Sequence, residues 1–152
     1  LPRAVEALYF DIEIPALVRA KGKSPSFARR DRDMWSLPVG PVQHLVKDYA
    51  PLEHRKQATR FSSRTTSDTT WNVKIPAGAK VVSLPEAKTE TSPFGSVTVS
   101  VESSAGSVRV RTQIVFSEPR IEPKDYPAFR DFCERGDRAL GQRLVYSYGG
   151  AK

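Results

Sequence analysis

One cysteine and two histidines are the residues of this chain whose types could build a covalent catalyst: Cys133, with His44 or His54 as its base. Cys–His chemistry needs a thiolate raised by an adjacent imidazole. Cys133, however, follows Phe132 and lies one turn from Phe129, on the apolar side of a helix-spaced segment. That is the setting of a small buried hydrophobe, where a thiol has a raised pKa and is inert. A hydrolase or transferase using Cys133 is therefore kept as a third reading, to be disposed of by an unreactive thiol. The histidines stand ten residues apart, without the HxxxH or HExxH spacing of a zinc site. A single cysteine supplies neither an intrachain disulfide framework nor a multi-cysteine metal site. The acid pairs Asp11/Glu13 and Asp31/Asp33 fall on a strand's wet face and in a charged loop, where solvation explains them. Adjacent glycines occur only at Gly149-Gly150, so no phosphate-cradling loop is expected. No catalytic residue, metal site or cofactor is read from the sequence, and the chain is expected not to be an enzyme.

Binding chemistry is better represented. Arg29, Arg30 and Arg32 interleave with Asp31 and Asp33 just before Trp35, a grouping able to meet a phosphate or a nucleic acid. Arg109 and Arg111 stand on the polar side of an alternating segment. Arg29, Arg30, Trp35, Arg109 and Arg111 are the candidate binding residues. The net charge of +7 and pI near 9.8 invite a nucleic-acid or polyanion reading. The excess is spread thinly, with 13 basic against 8 acidic residues up to Pro76 and 11 against 9 beyond it. Polyanion binding is thus the alternative to protein binding rather than the leading reading.

The elements that must position these side chains are mostly strands. Residues 92–116 carry the strongest pattern. Val97, Val99 and Val101 alternate with Ser96, Thr98 and Ser100; then Val108, Val110, Thr112, Ile114 and Phe116 alternate with Arg109, Arg111 and Gln113. A period of two predicts an antiparallel hairpin with one dry and one wet face, turning through Ser103 to Ser107. Such a hairpin needs a second layer over its dry face. Residues 4–18 predict a strand with Leu8, Phe10, Ile12 and Ile14 inward, where Pro15 marks a strand end, an edge or a bulge, and residues 19–36 an irregular charged loop anchored by Phe27 and Trp35. Val42, Leu45, Val46 and Tyr49 have helical spacing stopped by Pro51. Trp71, Val73 and Ile75 mark a strand, and residues 80–84 a shorter one. Residues 118–122 form an extended connector. Tyr126, Phe129, Phe132, Cys133 and Leu140 predict an amphipathic helix over 125–142, with Asp125 as N-cap, Pro127 in the first turn, and Gly136 weakening its middle. Residues 144–148 add a last strand. The predicted fold is mainly β (α+β): an antiparallel β-sandwich-like domain with one C-terminal amphipathic helix, divided into 1–36 and 37–152 but forming one domain.

Three segments carry a family resemblance: I-P-A-G-A-K-V-V-S-L-P-E from Ile75, S-P-F-G-S-V-T-V-S-V from Ser92, and P-R-I-E-P-K-D-Y-P-A-F-R-D-F from Pro119. Together they resemble the C-terminal β-rich domain of bacterial transglutaminase-like proteins that carry flanking domains of unknown function. The resemblance extends over residues 37–145 and rests on turn and packing residues. It implies roles for Gly78 in a turn, for Phe94-Gly95 where the hairpin begins, and for Asp125, Tyr126, Pro127 and Phe129 in starting the helix. It also implies that the Cys-His-Asp core of such proteins precedes this segment. The expected function is then a non-catalytic accessory domain that binds its own enzyme core or a cell-envelope partner, in the periplasm or outside the cell. No apolar run is long enough to span a bilayer, and no signal-peptide pattern opens the chain. A start at Leu1, in mid-pattern, leads us to expect a piece of a longer protein.

Overall fold

The computed structural model describes residues 28–40, 43–61 and 65–148. The strand expected over residues 4–18, the anchor Phe27 and the Gly149-Gly150 tail lie outside the described residues. In chain order the elements are Arg29–Asp31 (β1), Met34–Pro38 (β2), Leu45–Tyr49 (α1), Thr59–Arg60 (β3), Thr65–Lys74 (β4), Lys80–Ser83 (β5), Lys88–Ser92 (β6), Gly95–Ser104 (β7), Ser107–Phe116 (β8), Arg120–Ile121 (β9), Tyr126–Leu140 (α2) and Arg143–Ser147 (β10). They make two four-stranded antiparallel sheets, ordered β4-β8-β7-β6 and β1-β2-β10-β5, and a small β3-β9 pair.

The hairpin β7–β8 is central to its sheet, and its alternation decides where the core sits. Val97, Val99, Val108, Val110, Thr112, Ile114 and Phe116 are buried on one face, as the period of two predicts. Two different layers cover that face. Helix α2 lays Phe129, Phe132 and Cys133 over Val97, Ile114 and Phe116. Leu37 of β2 and Leu144 of β10 meet Val99, Val108 and Val110, with Ala139 of α2 between. The fold is therefore β-rich α+β, sandwich-like where sheet meets sheet and helix-covered where α2 replaces the second sheet.

Gly136 has a stronger role than the sequence reading gave it. A Cβ there would lie 2.6 Å from Leu45 Cδ1 and 3.0 Å from Val97 Cγ2. The missing side chain lets α2 cross α1 and β7 closely. Gly136→Ala is expected to lose about 1–3 kcal/mol by overpacking, although alanine is the better helix former by about 1 kcal/mol. Urea denaturation reads the sign; a gain in stability would mean that Leu45 and Val97 yield.

Polar contacts fasten α2 at its rim. Arg135 reaches Glu90 at 3.0 Å, and Lys88 meets the same carboxylate at 2.8 Å. The hydrogen bond from Lys88, reinforced by Arg135, holds the Glu90 carboxyl below the usual glutamate range. A depressed folded pKa stabilises fully above the unfolded value and fades as pH falls through the folded one. Glu90→Gln is accordingly expected to flatten the acid limb of the stability–pH curve, measured by denaturant titration at stepped pH.

Two sequence expectations are corrected. The described part of the 19–36 loop is a hairpin, β1–β2, turning at Arg32 with φ 52°. Its strand character comes from pairing with distant β10, a partner that local charge density conceals. Asp125 holds the expected N-cap position, but its side chain makes no cap hydrogen bond and its backbone is helical. Its backbone instead bridges a turn to the helix, its N–H donating to the Glu122 carbonyl and its carbonyl accepting from Phe129 N–H.

Candidate functional site

Cys133 is fully buried, facing the aromatic core from α2. Burial, and secondarily the carboxylate of Asp137, push its thiol up to about 12. His44 caps α1 by position and is exposed, as is His54. At neutral pH the thiolate fraction at that pKa is about 10³-fold below an ordinary thiol's. Thiol reagents are expected to leave Cys133 unmodified until denaturant is added; stoichiometric labelling of the folded chain would reopen the nucleophile reading. Among the described residues no group of three or more His, Cys, Asp or Glu side chains is placed to hold a metal ion. No helix among them is long and apolar enough to cross a membrane.

Arg109 and Arg111 extend from the outer face of β8, where the alternation puts them. Both are already partnered. Arg111 forks onto Asp68 of β4, with Nε at 2.8 Å from Oδ1 and the terminal nitrogen on Oδ2. That hydrogen bond holds the Asp68 carboxyl below its usual range. Arg109 donates to Asn72 at 2.9 Å and meets Glu102 at 3.4 Å. Thr70 and Ser100 complete the lining of an open depression of about 490 Å³. Each guanidinium therefore faces a carboxylate, and this face is a polar mosaic rather than a basic stripe.

Arg29, Arg30 and Trp35 lie in the other sheet. Arg30 sits over the Trp35 ring at 5.4 Å, and Trp35 stacks on Tyr146 of β10 at 6.5 Å with planes 8° apart. Cross-strand register explains the row, since Arg30 opposes Trp35 and Trp35 opposes Tyr146. Arg29 opposes Ser36 and so points to the opposite face of the sheet. The two candidate clusters thus belong to separate sheets and form no common site. The same row continues to Val81 of β5, which the sequence reading overlooked. Val81, Val82 and Leu84 are 41%, 55% and 37% exposed. The signal was there, in consecutive valines on a four-residue strand that no polar alternation protects.

The sequence matches a known family over residues 33–146: DUF3858, described as a domain of unknown function with a solved structure. The chain belongs to the DUF3858 family. The DUF3858 fold seen here is similar to part of a crystal structure from Parabacteroides distasonis, described as a putative protease. The TM-score is 0.60 at 15% sequence identity. That superposition covers 76% of the present chain and 23% of the Parabacteroides chain. Comparison with curated proteins gives no match.

Proposed function

We propose that this DUF3858 chain is a non-catalytic accessory domain of a longer, exported bacterial transglutaminase-like protein. Its work is to bind that protein's own enzyme core or, failing that, a partner in the cell envelope. The observation that supports this reading is the fold match, which covers most of this chain but under a quarter of a much longer one. The domain's shape thus recurs as one part of a larger polypeptide. The buried thiol of Cys133 is consistent with a domain that leaves chemistry to another part of the protein.

Sequencing the reading frame around Leu1, then titrating this domain into the separately expressed remainder by calorimetry, tests the proposal. A Cys-His-Asp core upstream and saturable binding in trans are expected. A frame with no such core would overturn it, and no heat of binding to any flanking domain would overturn the core-binding arm and leave the envelope partner. Polyanion binding, the competing reading, predicts an affinity for duplex DNA or heparin that falls steeply with salt. The acid partners of Arg109 and Arg111 weigh against it at the outer face.

A further inference from the structure

Among the described residues, the two four-stranded sheets end in four edge strands: β1, β4, β5 and β6. Edges invite pairing with another chain, and natural proteins blunt them with charge, polar residues or brevity. Three of these edges follow that rule. β1 reads Arg-Arg-Asp, β6 reads Lys-Thr-Glu-Thr-Ser, and the first six residues of β4 are Ser and Thr around Asp68, with Lys74 at its end. β5 breaks it. Val81, Val82 and the following Leu84 are substantially exposed, beside the half-buried Trp35–Tyr146 stack. A β-bulge at this strand, where the register against β10 shifts between Val145 and Tyr146, limits the edge to a short added strand.

We propose that the edge of β5, unpaired among the described residues, is the docking site for an extended segment of the longer polypeptide, which adds as a fifth strand. This rests on the accessory-domain reading above. The segment is apolar at alternate residues, to cover Val81 or Val82, and carries a carboxylate opposite Lys80, the strand's one charge. Strand addition of this kind takes its affinity from main-chain hydrogen bonds and its specificity from alternate side chains. A four-residue edge falls far short of the roughly 800 Å² per partner of a standing interface. It suits a tethered segment acting at effective concentrations on the order of millimolar better than a free second copy.

Hydrogen–deuterium exchange on the 152-residue chain and on the full polypeptide containing it tests the proposal. The β5 amides directed away from β10 are expected to exchange on the order of tenfold or more slowly in the full polypeptide. Val82→Asp should abolish that protection while leaving the melting temperature of the 152-residue chain unchanged. Equal protection in the 152-residue chain would overturn the proposal. If independent of concentration it would assign the edge to residues before Ala28, and if concentration-dependent to a second copy. Fast exchange in both would also overturn it. Should the domain bind its core in trans while β5 still exchanges freely, the edge proposal fails and the accessory reading stands.

Discussion

Gly95→Ala is expected to cost about 3–5 kcal/mol, enough to leave much of the protein unfolded at 37 °C. Gly95 closes the turn from β6 into β7 at φ 151°, opposite Phe116 of β8. A Cβ built on it would stand 1.8 Å from the Val115 carbonyl oxygen, a backbone atom of the interior strand β8. No rotamer change can relieve such a contact, so β7 and β8 would have to separate. The neighbouring turn residue Phe94 packs edge-on against Phe129 at 5.5 Å, so the disturbance reaches the helix interface. Chemical denaturation with circular dichroism measures the effect. Gly106→Ala is the control, because its turn is left-handed (φ 78°) but open, with nothing within 4 Å of an added Cβ. Its cost should be confined to about 1–2 kcal/mol of backbone strain. Equal losses at the two glycines would show that conformation, not crowding, decides the first.

Asp137→Ala should remove about 2–3 kcal/mol, seen as a fall in melting temperature of roughly 5–10 °C. Helix α1 has five residues and no side-chain cap of its own, His44 making none. The first N–H groups of a helix lack intrahelical acceptors. Here Asp137, ninety-two residues away on α2, accepts from Leu45 N–H at 2.6 Å and Val46 N–H at 3.1 Å. Leu45 is itself in the core, so losing this carboxylate strands two donors beside buried surface. Asp137→Asn keeps one acceptor oxygen and should recover part of the loss. If alanine and asparagine behave alike, the carboxylate does not cap α1 in solution.

Helix α1 is in fact fastened by α2 along its exit as well as at its start. The Tyr126 hydroxyl donates to Leu52 carbonyl at 2.9 Å, and Arg130 donates to the carbonyls of Ala50 and Leu52. These contacts explain why a segment that propensity supports for one turn persists as a helix. An isolated helix of five residues would not survive in water.

The hairpin, the amphipathic α2, the burial of Cys133 and the outward direction of Arg109 and Arg111 were all legible in the chain. Each follows from a period of two or of 3.6, which depends on neighbours a few residues away. The short strands β3, β6 and β9 escaped that reading, because two to five mostly polar residues become strands only when a partner supplies the ladder. The β1–β2 hairpin escaped for the same reason, its charge density reading as loop. Among the site residues, Arg30 and Trp35 were found without their partner Tyr146, which stands more than a hundred residues later.

What the amino-acid order determines by itself, then, is which side of each long element avoids water. Tertiary structure alone decides what meets that side, since solvent exclusion is indifferent to sequence distance. It set α2 and a second sheet side by side over one valine face, paired both outer arginines with carboxylates, and left β5 an apolar edge among the described residues. Those outcomes depend on close approaches between residues tens of positions apart, and no local period encodes them.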